Sequence, residues 1–106
     1  MTDEDARRLA LGLPDATEED HHGRASFRIK GRIFATLWAP GRMNIMLDAT
    51  AVMDAVDANP EVCEEMWWGQ RLAAVQVNLV RASPGSLMGW LDVANARKGR
   101  PTRTQR

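Results

Sequence analysis

Residues 25–47 read ASFRIKGRIFATLWAPGRMNIML and contain no acidic residue. Apolar and polar side chains alternate in three runs, 25–30, 32–38 and 42–47. A period of two is typical of half-buried β-strands. Gly31 separates the first two runs, and Ala39-Pro40-Gly41 separates the second and third. The stretch therefore predicts a meander of three antiparallel strands joined by tight turns.

The polar positions in and just before this meander are mostly basic. They are Arg24, Arg28, Lys30, Arg32 and Arg42. The formal net charge of the chain is zero, but acidic residues crowd residues 1–20 and cations return in residues 97–106. Because a ligand meets the local charge rather than the net charge, the predicted sheet can attract an anionic partner.

Three helices are predicted around the strands. The first spans Asp3 to Leu13, with Thr2 as N-cap and Pro14 after its end. The second spans Ala49 to Ala58 behind Asp48, and the third begins at Ser83-Pro84 and stops near Gly99.

Two more segments are predicted as strands, Leu72 to Arg81 and, more briefly, Thr17 to His22. The resulting fold class is α+β, an antiparallel sheet with helices packed on one face. A chain of 106 residues fits one domain, placed at residues 1–97, and the polar cationic segment 98–106 is expected to be a disordered tail.

The composition favours a soluble cytoplasmic protein. Cys63 is the single cysteine, so no internal disulfide can form. The acidic start of the chain is unlike a signal peptide, and no apolar run reaches the roughly 20 residues that span a bilayer.

The order and spacing of several segments resemble the MmcQ/YjbR family of small bacterial proteins. The matching segments are Leu9–Pro14, Glu18-Glu19, Ser26–Ala35 and Val75–Leu79, followed by the closing helix. The resemblance covers residues 1–98 and implies a frataxin-like fold with a double-wing motif and DNA binding. Members commonly carry an aromatic residue where this chain has Leu72, and Trp67-Trp68 lies just upstream.

The alternation of strand 32–38 allows two orientations. In the first, the buried side chains are Ile33, Ala35 and Leu37, and the outer ones are Phe34, Thr36 and Trp38. Outer aromatic rings beside Arg28 and Lys30 would stack on bases while the cations hold phosphates. In the second, Phe34 or Trp38 belongs to the core and Ala35 is exposed.

The sequence predicts no metal, no cofactor and no enzymatic activity. His21 and His22 are adjacent and would point to opposite sides of an extended segment, so they do not form a metal site. Glu64 and Glu65 disfavour the thiolate of Cys63 by like charge. The chain has no glycine-rich phosphate loop, no Ser-His-Asp pattern and no paired carboxylates at a recognisable spacing.

Trp67 and Trp68 allow two interpretations. If the segment is extended, one side chain packs inward and the other is exposed, as a stacking platform or as an anchor for a partner. Alternatively, both form a lid over the end of the sheet.

These features predict weak, largely sequence-independent nucleic-acid binding through basic hairpins. The predicted binding residues are Arg24, Arg28, Lys30, Arg32, Trp38, Arg42, Arg97, Lys98, Arg100 and Arg103. Asp54, Asp57 and Asp92 on the second and third helices would repel DNA, which argues against a recognition helix in the major groove. The alternative is a protein-interaction module that uses exposed tryptophans, with the arginines as its rim.

Overall fold

The structure, a computed structural model, describes residues 1–100. Its elements are α1 (Asp3–Leu11), β1 (Ala16–His21), β2 (Arg24–Ile29), β3 (Arg32–Ala39), β4 (Arg42–Ile45), α2 (Ala49–Ala58), β5 (Cys63–Trp68), β6 (Arg71–Asn78) and α3 (Pro84–Gly99). The prediction made for Arg103 and the part of the expected tail at residues 101–106 lie outside this range. Within it, no helix combines the length and the apolar character needed to cross a membrane.

The six strands form one antiparallel sheet in the order β1-β2-β3-β4-β6-β5. The α+β fold class is confirmed, and so is the predicted meander, which forms β2, β3 and β4. The short strand predicted at 17–22 is present as β1, and α2 has the predicted bounds. The β1–β2 and β2–β3 turns use His22-Gly23 and Lys30-Gly31. All four of these residues have positive φ, as tight hairpins require.

Strand β5 was not predicted. It pairs with β6 from Cys63↔Val77 to Trp68↔Arg71, so the lid expected for Trp67 and Trp68 is wrong. Glu64-Glu65 interrupts the alternation that marks a strand, which hides β5 in the sequence. Both tryptophans are exposed, at 53% and 45%, because β5 lies at the sheet edge and a register shift falls between Met66 and Trp67. The inward packing predicted for one of them in an extended segment is therefore also wrong.

The hydrophobic core lies between the sheet and its helices. One cross-strand row, Phe27–Ala35–Ile45–Val75, is completely buried. Helix α3 packs across β2, β3 and β4, and α2 packs on β5 and β6. Helix α1 contacts α3 and β1. Leu87 and Leu91 bring the α3 stripe into the same cluster, as its 3.6-residue period predicts.

The burial of β3 follows neither of the two predicted orientations. Phe34 and Ala35 are both fully buried in the hydrophobic cluster, whereas Trp38 is 37% exposed. The reason is a register shift between β2 and β3, where Phe27 pairs with Ala35 but Arg28 pairs with Ile33. Phe34 is the additional residue of this bulge, and a bulge breaks strict alternation.

The neighbouring cross-strand row is polar and lies on the opposite face of the sheet. It consists of Ser26, Thr36, Asn44 and Gln76, each paired with the next. The first three are buried, with 0%, 5% and 0% exposure. Arg28 Nε donates to Ser26 Oγ at 3.1 Å, and Gln76 Nε2 donates to Asn44 Oδ1 at 3.1 Å. Long side chains from the strands therefore cover this row.

One helix end differs from its predicted position. Helix α1 ends at Leu11 rather than Leu13, and the backbone N–H of Gly12 donates to the Arg8 and Ala10 carbonyls. Helix α3 ends at Gly99, as predicted, with Arg100 as its C-cap, so it includes the first two residues of the predicted tail. Lys98 and Gly99 are thus helical rather than part of a disordered tail.

Replacing Phe34 with alanine tests its burial in the core. We expect Phe34→Ala to lower the free energy of unfolding by about 3–5 kcal/mol, since it leaves a cavity in a closely packed cluster. Urea denaturation measures this loss. Val80→Ala is the control, because Val80 is 77% exposed and its truncation should change stability little. Equal stability of the two variants would contradict the placement of Phe34.

Candidate functional site

A cleft opens between β3 and β6 because the strand between them is short. Strand β4 pairs with β6 only as far as Ile45↔Val75, whereas β3 and β6 extend on to Arg32 and Arg71. Strands two positions apart in a sheet are separated by about 10 Å. Beyond Ile45 this space is bordered by residues 46–49, which lead from β4 into α2. We call this space the β3–β6 cleft.

The β3–β6 cleft has a volume of about 580 Å³. Its lining residues are His21, Ile33, Thr36, Trp38, Met46, Leu47, Asp48, Ala49, Trp68, Arg71, Leu72, Ala73, Arg97 and Lys98. The lining combines buried residues, such as Leu47 and Ala73, with exposed Trp38 and Trp68. Such a concave, mainly apolar space with a few polar groups is typical of ligand sites.

Three cations line the cleft, Arg71, Arg97 and Lys98. The pKa of Lys98 lies below its usual value, first because burial disfavours its charge and then because Arg97, Arg71 and Arg32 repel it. Asp48 is the one carboxylate in the lining, and its side chain accepts the Ala51 N–H at 2.9 Å as the α2 N-cap. The positive charge at the cleft is therefore poorly compensated.

An arginine side chain lies beside each of the two tryptophan rings of the cleft. The Arg24 guanidinium lies 4.0 Å from the centre of the Trp38 ring, and its Nε donates to the Trp38 carbonyl at 2.8 Å. Arg71 lies 5.5 Å from the centre of the Trp68 ring. Both distances fall within the range of cation–π attraction. Each pair presents a flat ring beside a positive charge.

Lys30 and Arg32 hold the C-terminal end of α3. Lys30 Nζ donates to the Gly99 carbonyl at 3.1 Å. Arg32 Nη1 donates to the Lys98 and Arg100 carbonyls at 3.2 and 2.6 Å. Cations at this end satisfy helix carbonyls and the helix dipole. These two side chains thus cap the C-terminal end of α3. They do not form the expected row of cations along an open face of the sheet.

The remaining predicted cations lie in other surroundings. Arg28 Nε lies 3.8 Å from Glu19 Oε1, and its Nη2 lies 3.4 Å from His21 Nδ1. Arg42 begins β4 opposite Asn78, at the end of β4 away from the cleft. Arg100 lies at the α3 C-cap.

The structure thus brings together three of the predicted binding residues, Trp38, Arg97 and Lys98, with Arg24 stacked beside them. Neither Arg71 nor Trp68 was among the predicted nucleic-acid-binding residues. Their positions depend on the β5–β6 hairpin. The sequence signal available was the Trp-Trp-Gly-Gln-Arg run at residues 67–71, whose glycine is typical of a hairpin turn.

In residues 1–100, the histidines and the cysteine are not part of a metal-binding cluster. Within that range, no group of three His, Cys, Asp or Glu side chains could hold an ion. His21 and His22 are exposed, with ring centres 4.6 Å apart. Cys63 is buried, and this burial raises the pKa of its thiol to about 11. Desolvation, rather than the expected repulsion by Glu64 and Glu65, is the cause.

No family model matches this chain, and searches of curated proteins and of solved structures find no match.

The contacts of Lys30 and Arg32 predict a structural role. We expect the double variant Lys30→Met/Arg32→Met to lose about 1–2 kcal/mol of unfolding free energy, because three helix carbonyls lose their cationic donors. Urea denaturation provides the measurement, with Arg8→Met as control. The Arg8 side chain is 71% exposed and its ion pair with exposed Glu4 is long, at 3.6 Å, so its loss should cost little. A double variant as stable as this control would contradict the capping role.

The pKa of Cys63 predicts a loss of stability at alkaline pH. The thiol ionises near pH 8.5 in the unfolded chain and near pH 11 in the folded one. As the pH rises between these values, the unfolded state loses its proton first, so the free energy of unfolding should fall. Melting temperatures should therefore decline more steeply in the wild type than in Cys63→Ala. Parallel pH profiles would show that the thiol is accessible to water in the folded state.

Proposed function

We propose that this chain is a small, non-enzymatic nucleic-acid-binding domain of the MmcQ/YjbR type. Binding is weak, salt-sensitive and largely independent of sequence. The observation that supports it is the juxtaposition of Arg71, Arg97 and Lys98 with two exposed tryptophans around the β3–β6 cleft.

The charge in the cleft favours an anionic ligand. Burial and then repulsion by neighbouring arginines lower the pKa of Lys98, and a phosphate that lies between these cations relieves the repulsion. The lining carboxylate, Asp48, already caps α2 and offers little compensation. Arginine and lysine beside aromatic rings are the usual means of holding phosphates and stacking bases.

The acidic residues restrict where a polyanion can bind. Strand β1 exposes Glu18, Glu19 and Asp20, and the first turn of α1 carries further acids. Binding is therefore directed to the cleft, away from the β1 edge. With so few uncompensated cations, the affinity depends on a small number of phosphate contacts and stays modest.

Two matched double variants test this function by fluorescence anisotropy with labelled duplex and single-stranded DNA across a salt series. Arg71→Gln/Lys98→Gln should weaken binding of duplex DNA and flatten the log–log salt slope by up to about 2, since each phosphate contact contributes about 0.9. The control Arg8→Gln/Arg81→Gln removes the same charge from exposed ion pairs with Glu4 and Glu61. It should keep the wild-type slope.

The same anisotropy measurement on chains that end at Arg100 separates two contributions to the affinity. One comes from residues 101–106, including Arg103, and the other comes from the cleft. Equal losses in the two double variants would assign the affinity to net charge and contradict a site in the cleft. Absence of binding by the full chain at low salt would contradict the proposed function.

A second candidate function is protein interaction at β5. This strand is at the sheet edge, where a partner strand can be added, and its Trp67 is 53% exposed. The Trp67 indole N–H donates to Glu65 at 3.0 Å, which orients an anchor of the kind found at interfaces. This candidate takes precedence if nucleic acid does not bind.

A further inference from the structure

The β3–β6 cleft contains an unsatisfied polar group as well as apolar walls and cations. Thr36 lines the cleft and is 5% exposed, and its hydroxyl oxygen has no hydrogen-bond partner among residues 1–100. Its cross-strand neighbour Asn44 is fully buried, and Asn44 Nδ2 also has no partner in this range. Burying such a group without a partner costs roughly 1–3 kcal/mol, and folded proteins retain few of them.

The hydroxyl can be directed into the cleft. In the structure the hydroxyl oxygen is inaccessible, and a rotation about Cα–Cβ moves it by about 120° to another staggered position of a side chain that lines the cleft. A ligand that reaches Thr36 therefore meets a group able to donate or accept a hydrogen bond. Nucleobase edges offer both donors and acceptors.

The other walls of the cleft suit a flat heterocycle attached to a phosphate. Ile33 and Leu47 provide apolar surface, and the exposed Trp38 and Trp68 rings can stack on a base. Arg71 and Lys98 lie in the same lining, where a phosphate would meet them.

The cleft should bind single strands more tightly than duplexes, because only an unpaired base is accessible. A base inside a duplex is stacked and paired, and extruding it costs a few kcal/mol. A single strand or a free nucleotide presents its base at no such cost. The volume of about 580 Å³ lies within the usual range for small-ligand pockets.

We infer that the β3–β6 cleft receives one unpaired nucleobase, which hydrogen-bonds to Thr36 while its phosphate contacts the cations of the lining. The inference deepens the proposed function and rests on it. The base comes either from a single-stranded nucleic acid or from a free nucleotide, and the two sources differ in the length of chain that binding requires.

The decisive variant is Thr36→Val, which removes the hydroxyl and preserves the shape of the side chain. The probes are a twelve-nucleotide single strand, the matching duplex, adenosine monophosphate and inorganic phosphate. We expect the wild type to bind the single strand at least about tenfold more tightly than the duplex, because the duplex must first release a base. Thr36→Val should weaken single-strand binding by about fivefold, the effect of one hydrogen bond, and leave the salt slope unchanged.

Thr36→Val should weaken binding but stabilise the free protein. Removing a buried hydroxyl that has no partner should raise the melting temperature of the free protein. Weaker binding in a more stable variant would separate a ligand contact from a structural role.

If Thr36→Val does not fold, Leu72→Trp provides a second variant, which should block the cleft with a larger ring. Trp67→Ala is its control, since Trp67 lies outside the lining.

The outcomes separate the inference from the proposed function. Binding of adenosine monophosphate with the same sensitivity to Thr36→Val would support a free nucleotide as the source, and binding of the oligonucleotide alone would support a single strand.

Equal affinity for duplex and single strand, unchanged in Thr36→Val and Leu72→Trp, would overturn the inference and leave the proposed function intact. If adenosine monophosphate binds but no oligonucleotide does, the proposed function fails and the base pocket stands. If no probe binds, or if inorganic phosphate binds as tightly as the nucleotide, the inference is overturned.

Discussion

The short central strand β4 is the constraint on which the candidate site depends. Its four residues pair with β3 and β6 and then leave the sheet toward α2, while the strands on both sides continue. Continued pairing at this end would fill the space between Ile33 and Ala73 with backbone. Because β4 stops at Ile45, one end of the cleft is lined by Ile33, Leu72 and Ala73. Thr36 and Trp38 extend its lining along the part of β3 that pairs with β4. Backbone pairing, rather than any single side chain, thus creates the site.

The fold could be predicted from sequence wherever the periodicity is regular. The alternation in residues 25–47 gave the meander, and the caps Asp48 and Ser83 marked the starts of α2 and α3. The prediction failed at bulges, because the sequence does not show where a register shift will fall. The shift beside Phe34 buries Phe34 and Ala35 together, which neither of the two predicted orientations allowed. The Glu64-Glu65 pair conceals an edge strand.

The candidate site was less predictable because cations of similar sequence pattern have different tertiary partners. Lys30 and Arg32 lie in the basic meander, yet their side chains satisfy the carbonyls at the end of α3. Arg71 has no basic neighbours in sequence, yet it lies close enough to Lys98 to lower its pKa. Only the packing of α3 against the sheet distinguishes these roles. A pattern of charges predicts that an anion is attracted but not where it binds.

The β3–β6 cleft retains features that an optimally stable domain would lack. Like charges converge at Lys98, Trp38 and Trp68 are exposed, and the Thr36 hydroxyl is buried without a partner. Each of these costs stability in the free protein, and the completely buried row across β2, β3, β4 and β6 supplies the burial that offsets them. Since one ligand carrying a base and a phosphate would satisfy all three features together, their coincidence supports the proposed binding site.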